Sequence, residues 1–209
     1  YMISEEPAQN VTVVYDEVAE VTFFNDPYGT LRIEKKSDTG MNLPGAVIKI
    51  EHIESGQTWT ATTTSAGVAI FDQIPLGAYR IQEITAPAGW KLDDTVYTAT
   101  VVAGETTTIP IINEELPGLR IIKYDRKNMV AMPNVTFAVY RDGKFLGNFK
   151  TDQFGEILLT NVEPGTYRAF EVDTGDEGHI LDTTPQEVEL HAGDGIKELL
   201  FFNDVKPGL

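Results

Sequence analysis

The 209-residue sequence contains no cysteine, so disulfide bonds and thiolate metal sites are not available to it. No apolar run approaches the roughly 20 residues that a membrane-spanning helix needs, and no charged and apolar leader opens the sequence. Cations are scarce: 16 lysines and arginines stand against 32 aspartates and glutamates, a net charge of −16. This charge argues against nucleic acid and anionic membranes as partners.

The sequence also lacks the usual signs of enzymes and metalloproteins. There is no phosphate-binding glycine loop, and the three histidines are isolated from any nucleophile, so we expect them at the surface. The acidic run Asp173, Asp176 and Glu177 does not have EF-hand spacing and is expected to be a solvated loop. We therefore predict no cofactor, no metal and no enzyme that turns over a substrate.

What the sequence does contain is a series of short runs with alternating apolar and polar residues. Examples are residues 46–51, 58–63, 67–72 and 95–102, and turn-forming segments such as Glu54-Ser55-Gly56 and Glu163-Pro164-Gly165 separate such runs. Many short strands with frequent turns predict an all-β fold of antiparallel β-sandwiches.

Three of these runs occur twice, and each ends in a polar residue. The paired residues are 88, 88 and 90 positions apart: Lys35 and Lys123, Glu83 and Glu171, Asn113 and Asn203. Every second side chain of a strand points to the same face, so Lys35 shares the face of Leu31 and Ile33. The same alternation aims the glutamate and the asparagine at the core. Polar residues that merely end a strand are the alternative, but the matched spacing of the triplet argues against it.

A buried ammonium or carboxylate costs several kcal/mol when it has no partner, and these three groups can remove their charges by reacting. Burial favours the neutral amine, which is a nucleophile, and the neutral carboxylic acid, which can hydrogen-bond the asparagine carbonyl and transfer protons. Attack of the amine on the carboxamide releases ammonia and leaves a neutral isopeptide bond. The sequence predicts two such sites, each with a cross-linked lysine and asparagine and a catalytic glutamate: Lys35, Asn113 and Glu83, then Lys123, Asn203 and Glu171.

Further motifs surround the first triplet. They are Leu43-Pro44-Gly45-Ala46, Gly67 to Phe71, Gly77-Ala78-Tyr79 and Pro87-Ala88-Gly89-Trp90. The second copy departs from them with Met132-Pro133-Asn134-Val135, with Leu159 in place of the phenylalanine, and with residues 173–178 in place of the last turn. With its lysine, glutamate and asparagine, this pattern resembles the collagen-adhesin B-type (CnaB) domains, also called SpaA-like or prealbumin-like. The resemblance implies Ig-like sandwiches that build the stalks and pilins of Gram-positive surface proteins.

The repeat predicts one domain at residues 29–115 and a second at residues 116–205. Residues 1–25 match the last 25 residues of each copy in length, and Val21, Phe23 and Asn25 match its final strand. We therefore expect the C-terminal strands of a preceding repeat there, either disordered, in a hairpin or packed on the first domain. Residues 206–209 are expected to begin a following linker or repeat, so the chain would be part of a longer tandem array.

The function that these features predict is structural: stalk repeats of a bacterial adhesin or pilus protein, each braced by one self-formed isopeptide bond. The expected partners are neighbouring repeats of the same protein. The expected location is extracellular, on a cell-wall-anchored protein whose anchor and signal peptide lie outside this sequence. The alternative is a module that binds a host extracellular protein or a glycan, although no aromatic or arginine cluster stands out in the sequence.

Overall fold

A computed structural model describes residues 2–3, 8, 10–22, 25–26 and 28–208 of the chain. The chain divides into two compact units, one formed by residues 1–88 with 92–113 and the other by residues 89–91 with 114–209. Among the described residues there is no helix long and apolar enough to cross a lipid bilayer. Each unit is a β-sandwich, which confirms the predicted all-β fold class.

Among the described residues of the N-terminal segment, β1 (Met2–Ile3) and β2 (Asn25–Asp26) form short strands that pair antiparallel. Val21 lies in a described stretch without strand structure, and Phe23 lies outside the described residues. The origin of residues 1–25 as the end of a preceding repeat therefore stays a prediction.

The first sandwich is built from seven strands. They are β3 (Gly29–Ser37), β4 (Val47–His52), β5 (Thr58–Thr62), β6 (Val68–Ile74), β7 (Gly77–Thr85), β8 (Tyr97–Val101) and β9 (Thr106–Asn113). One sheet has the order β6-β3-β9 and the other the order β5-β4-β7-β8. The alternation in the sequence explains the core, because Leu31, Ile33 and Lys35 of β3 are all buried while the residues between them are not. The predicted inward face of this strand is therefore confirmed.

One pairing departs from the antiparallel pattern that the sequence predicts. β3 and β9, the first and last strands of the sandwich, run parallel to each other. The reason is topological: seven strands that reverse direction at every connection leave the first and the seventh pointing the same way. The parallel pairing places the first and last strands side by side on one sheet, with the start of β3 and the end of β9 at opposite ends of the pair.

The second sandwich repeats this architecture with seven more strands. They are β10 (Gly118–Asp125), β11 (Thr136–Arg141), β12 (Lys144–Lys150), β13 (Glu156–Leu159), β14 (Gly165–Asp173), β15 (Gln186–Leu190) and β16 (Ile196–Asn203). The sheet orders are β13-β10-β16 and β12-β11-β14-β15, and β10 and β16 again pair in parallel. Phe137, Tyr167 and Leu119 lie at the centre of the core between these sheets.

Candidate functional site

The first predicted triplet meets between the two sheets of the first sandwich. The parallel pairing places Lys35 opposite Ile111, two residues before Asn113, while Glu83 reaches in from β7 of the facing sheet. The exposed fractions of Lys35, Glu83 and Asn113 are 0%, 4% and 1%. Lys35 Nζ donates a hydrogen bond to Asn113 Oδ1, and Asn113 Nδ2 donates to both Glu83 oxygens at 3.0 Å. Lys35 Nζ lies 3.4 Å from Glu83 Oε1.

The second triplet forms the same cluster in the second sandwich. Lys123 Nζ donates to Asn203 Oδ1 at 2.5 Å, and Asn203 Nδ2 donates to Glu171 Oε1 at 2.6 Å. Lys123 Nζ lies 2.8 Å from Glu171 Oε2. All three residues are buried. The structure therefore brings together all six residues singled out in the sequence, in two separate groups.

The backbone of each lysine is fixed by a motif glycine. Gly67 has a positive φ of 70°, and its carbonyl accepts a hydrogen bond from the Lys35 N–H at 2.7 Å. A Cβ at Gly67 would lie 2.5 Å from the Lys35 carbonyl oxygen, so only glycine fits this approach. Gly155 makes the same contact with Lys123, with a Cβ-to-oxygen distance of 2.7 Å. These glycines therefore set the position from which each lysine enters the core.

A pair of buried threonines also supports the sites, and the sequence reading missed them. The Thr63 hydroxyl donates to the Leu43 carbonyl at 2.8 Å and accepts the Ala46 N–H at 3.0 Å. Thr151 makes the matching bonds in the second domain. Each hydroxyl fixes a short segment that begins at Leu43 or Met132. The N–H of that first residue donates to the carbonyl of Lys35 or Lys123, respectively. Their 88-residue spacing, equal to that of the lysines, was the available signal.

Burial lowers the pKa of Lys35 and Lys123 below the ordinary lysine value of 10.5. The adjacent glutamates act in the opposite direction, because a carboxylate stabilises an ammonium ion, but desolvation outweighs them. A lowered pKa shifts lysine toward its neutral amine, which is the nucleophilic form. The environment of both lysines therefore favours attack on a neighbouring carbonyl.

The glutamates face a different part of the asparagine than the sequence prediction assumed. We expected a bond from the acid to the amide carbonyl, whereas Glu83 and Glu171 accept hydrogen bonds from the amide nitrogen. Carboxylate oxygens accept hydrogen bonds, and the amide presents its N–H groups to them. The carbonyl oxygen is left facing the lysine. The catalytic roles of the two glutamates stay predictions.

The glutamates differ in one further contact. Glu83 Oε2 accepts a hydrogen bond from the Asp93 N–H at 2.9 Å. The Asp93 carboxylate is in turn held by the Tyr97 hydroxyl at 2.7 Å. Burial alone would raise the pKa of Asp93, but hydrogen bonds from Thr95 and Tyr97 outweigh it and leave the pKa below its ordinary value. No motif in the sequence links Asp93 to the triplet, so its contact with the site was missed.

Other residues weighed in the sequence form no comparable site. His52 is buried, not exposed as expected, because it ends the inward face of β4, where its ring contacts the Ser55 hydroxyl and the Leu76 carbonyl. The carboxylates of Asp173 and Asp176 accept backbone N–H groups of their own loop. Within the described part of the chain, no three histidine, aspartate or glutamate side chains are grouped so that they could hold a metal ion.

Fold and site together define a class of protein: tandem prealbumin-like sandwiches with a lysine, glutamate and asparagine buried between their sheets. The family model of the SpaA prealbumin-like fold domain matches residues 29–115 and 117–204. The chain belongs to this family and contains two tandem copies of its domain, which confirms the resemblance seen in the sequence. Among curated proteins, none is similar enough to count as a match.

Solved structures with a similar fold include pilins. The streptococcal ancillary pilin is 17% identical, with a TM-score of 0.50 over 88% of this chain and 64% of that one. The shaft pilin SpaA of Lactobacillus rhamnosus GG is 13% identical, with a TM-score of 0.54 over 87% and 99%. The Bacillus anthracis TIE protein is 28% identical, with a TM-score of 0.47 over 86% and 34%. This chain thus spans about a third of the TIE protein and under two thirds of the ancillary pilin.

Proposed function

We propose that the chain is a pair of structural stalk domains from an extracellular adhesin or pilus protein, each cross-linked by a Lys–Asn isopeptide bond. The observation that carries this proposal is the occurrence of the same buried cluster of amine, carboxylate and carboxamide in both domains. Membership of the SpaA domain family and the fold shared with pilins support a place on a bacterial surface. Neighbouring repeats of the same protein are the proposed partners.

The reaction begins with transfer of a proton from the lysine to the glutamate, whose nearest atoms are 3.4 Å apart in the first domain and 2.8 Å in the second. This transfer replaces two buried charges by a neutral amine and a neutral acid, which a desolvated site favours. The amine then attacks the asparagine Cγ, to whose oxygen it is already hydrogen-bonded.

The glutamate completes the reaction by moving protons. Its acidic proton passes to the asparagine nitrogen, to which it is hydrogen-bonded, so that this nitrogen leaves as ammonia. The attacking nitrogen loses one proton back to the carboxylate as the new C–N bond forms. Counted from the neutral amine and the neutral acid, one amide and one amine become one substituted amide and one ammonia, and the glutamate is again the neutral acid. The proton that it keeps is the one it took from the lysine, and it leaves with the ammonia as ammonium or passes to solvent. The reaction occurs once per domain, so the chain is not an enzyme with turnover.

The position of the bond gives it a mechanical role. Lys35 and Asn113 are 78 residues apart in sequence, and Lys123 and Asn203 are 80 residues apart. Each bond joins the first strand of a sandwich to the last, so pulling on the two ends of the domain loads the covalent bond. The residues between the bonded pair are then shielded from tension, which is what a stalk needs.

The direct test is the intact mass of the purified chain. Two bonds lower the mass by two ammonia units relative to the sequence, and peptide mapping should find Lys35 joined to Asn113 and Lys123 joined to Asn203. A mass equal to that of the sequence would overturn the proposal.

The role of the acid is tested by Glu83→Gln, which keeps the side-chain shape but cannot accept the lysine proton. We expect this variant to lose one ammonia unit instead of two. Glu51→Gln, an outward-facing change in the same domain, is the matched control and should still lose two. A fully cross-linked Glu83→Gln chain would show that the carboxylate is not needed.

A further inference from the structure

The outer face of the four-stranded sheet in the second domain carries a cluster of aromatic rings. Tyr140 of β11 lies 5.2 Å from Phe145 of β12 and 5.8 Å from Phe170 of β14, measured between ring centroids. The Arg168 guanidinium lies 5.7 Å from the Phe170 ring centroid. Phe145 is 51% exposed, and the side chain of Arg168 is 50% exposed. We call these four residues the aromatic patch.

The fold itself does not require these rings. The strand register identifies the matching positions in the first domain, because Tyr140 lies opposite Arg168 just as Glu51 lies opposite Arg80. By the same register the positions of Phe145 and Phe170 are occupied by polar residues. The first-domain counterparts of the three rings are Glu51, Thr58 and Gln82. The same architecture is therefore built without an exposed aromatic face.

The sequence reading found no exposed aromatic or arginine cluster, and the structure corrects it. The patch residues belong to three different strands, and they meet only because β11 pairs with both β12 and β14. A register shift between Val139 and Tyr140 also places Tyr140 opposite Phe145. Neither the pairing nor the shift can be seen from alternation within one strand.

A small cavity adjoins the patch and supplies polar groups next to the Tyr140 ring. Its volume is about 230 Å³, below the range of about 300–1,000 Å³ that is usual for drug-sized ligands. The cavity therefore has room for a ligand of one or two small rings. The residues lining it are Tyr140, Asp142, Gly143, Thr166, Arg168 and Glu187.

The charges around this cavity are mixed and only loosely paired. Arg168 Nε lies 3.7 Å from Glu187 Oε1, which is longer than a hydrogen bond, and both side chains are at least half exposed. Asp142 accepts the Thr166 N–H through Oδ1, and its Oδ2 lies 3.9 Å from Arg141 Nε, which is too far for a hydrogen bond and leaves this oxygen able to accept one from a ligand. The rim thus offers guanidinium donors and carboxylate acceptors side by side.

This combination indicates the chemistry of the ligand. An anionic ligand would meet the carboxylates, and a cationic ligand would meet the guanidinium group, so a neutral ligand is favoured. Hydroxyl groups both donate and accept, and therefore match a rim that holds both kinds of group. An aromatic ring beside these groups offers an apolar surface on which the C–H face of a sugar ring can lie.

We propose that the aromatic patch and its cavity form a binding site for a neutral saccharide, through stacking on Tyr140 and hydrogen bonds to Arg168, Asp142 and Glu187. The site is confined to the second domain and does not depend on the isopeptide proposal. It would give one repeat of the stalk a recognition role that the other repeat lacks.

The test is an NMR titration of the full chain with methyl glycosides of glucose, galactose, mannose and N-acetylglucosamine, and with sialic acid as a charged comparison. We expect at least one neutral glycoside to shift the ring signals of Tyr140 and Phe170 in a saturable way, with little response to sialic acid. Tyr140→Ser should weaken this binding by about tenfold or more, which corresponds to about 1.4 kcal/mol.

The second domain provides a matched control on its other sheet. Tyr124 also lies against a phenylalanine, Phe202, at a centroid distance of 6.3 Å. Tyr124→Ser should leave the affinity within about a factor of two, well under 1.4 kcal/mol. The proposal is overturned if no neutral glycoside shifts the patch signals, if sialic acid alone does so, or if both variants weaken binding equally. A patch that binds only a protein partner would give the first of these results.

Discussion

The two buried triplets place the same three groups in different surroundings. In the strand register, Lys35 lies opposite Ile111, whereas Lys123 lies opposite Phe201. Glu83 likewise pairs with Ile48, whereas Glu171 pairs with Phe137. The neighbours of the first site in the two sheets are thus aliphatic side chains, and those of the second are aromatic rings 4.8 Å apart. Different packing can therefore bury the same reacting groups.

The sites also differ in how the charges are held before any reaction. Glu83 has an additional donor, the Asp93 N–H, which stabilises the negative charge on its carboxylate. Glu171 Oε2 lacks such a backbone donor in the described part of the chain, and its close partner is the Lys123 ammonium at 2.8 Å. In the second site the Phe137 ring, 6.0 Å from Lys123 Nζ, gives the ammonium a weak cation–π contact. The hydrogen bond to the Glu83 carboxylate stabilises the charged state more than the weak cation–π contact of Lys123 does. We therefore infer that proton transfer from lysine to glutamate is easier in the second domain.

The largest predicted effect is loss of the bond itself, and it should be nearly equal in the two domains. Lys35→Met should lower the free energy of unfolding of the first domain by about 4–5 kcal/mol, by analogy with the loop-closure entropy of a disulfide. Lys123→Met should do the same in the second domain, because the closed loops of 78 and 80 residues are almost the same length. Calorimetry and intact mass measure both effects.

Single-molecule pulling provides a second measurement of the same change. In Lys35→Met we expect a new extension of about 27 nm, the length released by 78 extended residues. Lys49→Met changes a lysine outside the triplet and should give no such step.

In the calorimetric comparison, losses of stability that differ by more than about 2 kcal/mol between the two domains would contradict the expectation of nearly equal effects. They would mean that the surroundings of each bond, and not loop closure, decide how much it stabilises the domain.

Much of this arrangement could be predicted from the sequence because it rests on strand alternation. Alternation placed Lys35 and Glu83 on inward faces, and the 88-residue repeat made an accidental match improbable. Burial in the structure agrees with that prediction for all six triplet residues. The fold class followed from the same pattern, since short alternating runs separated by turns specify sandwiches.

What could not be predicted depends on pairing between distant strands. The parallel contact of β3 with β9 follows from the whole topology, and the contact of Asp93 with Glu83 follows from the path of a connection. The orientation of the asparagine amide depends on contacts with a lysine and a glutamate from two other strands, which the sequence does not place. Thr63 was missed because its hydroxyl bonds only backbone groups, so nothing marks it except the matching threonine 88 residues later.

The next effect concerns pH and should appear in both domains. Before the reaction, each site holds one proton that can move from the lysine to the glutamate. This movement exchanges no proton with solvent, so it does not depend on pH while the site keeps that proton. Burial lowers the lysine pKa below 10.5, and above this lowered pKa the proton is lost to solvent, leaving an amine without an acid. The rate of bond formation should therefore fall in alkaline solution before pH 10.5 is reached.

This rate can be followed in freshly translated chain that is unfolded in guanidinium before it reacts and then refolded by dilution at each pH. Acid quenching and peptide mapping give the cross-linked fraction of each domain. A rate that keeps rising up to the ordinary lysine pKa would show that only the free amine matters and that the acid has no part in the reaction.

A smaller effect separates the two domains at neutral pH. We expect the second domain to form its bond about tenfold faster, equivalent to about 1.4 kcal/mol, because Glu171 lacks the N–H donor that Glu83 has. Asp93→Pro removes this donor and should bring the first domain closer to the second. Asp93→Ala keeps the N–H and is the control for loss of the carboxylate. Equal rates in the unmodified domains would remove the proposed difference.

The smallest effect is expected from the residue that holds Asp93 in place. Burial and the hydrogen bond to Asp93 raise the pKa of Tyr97 to about 12. The equivalent position in the second domain is occupied by Gln186, which has no phenol to offer. Tyr97→Phe should cost about 1 kcal/mol of first-domain stability, the net value of one hydrogen bond, while the intact mass still shows two bonds. Tyr15→Phe, at a 98% exposed residue, should cost nothing measurable. If Tyr97→Phe instead prevented the first bond, the hydroxyl would be needed to position Glu83 through Asp93, and the two domains would depend on different supports for the same reaction.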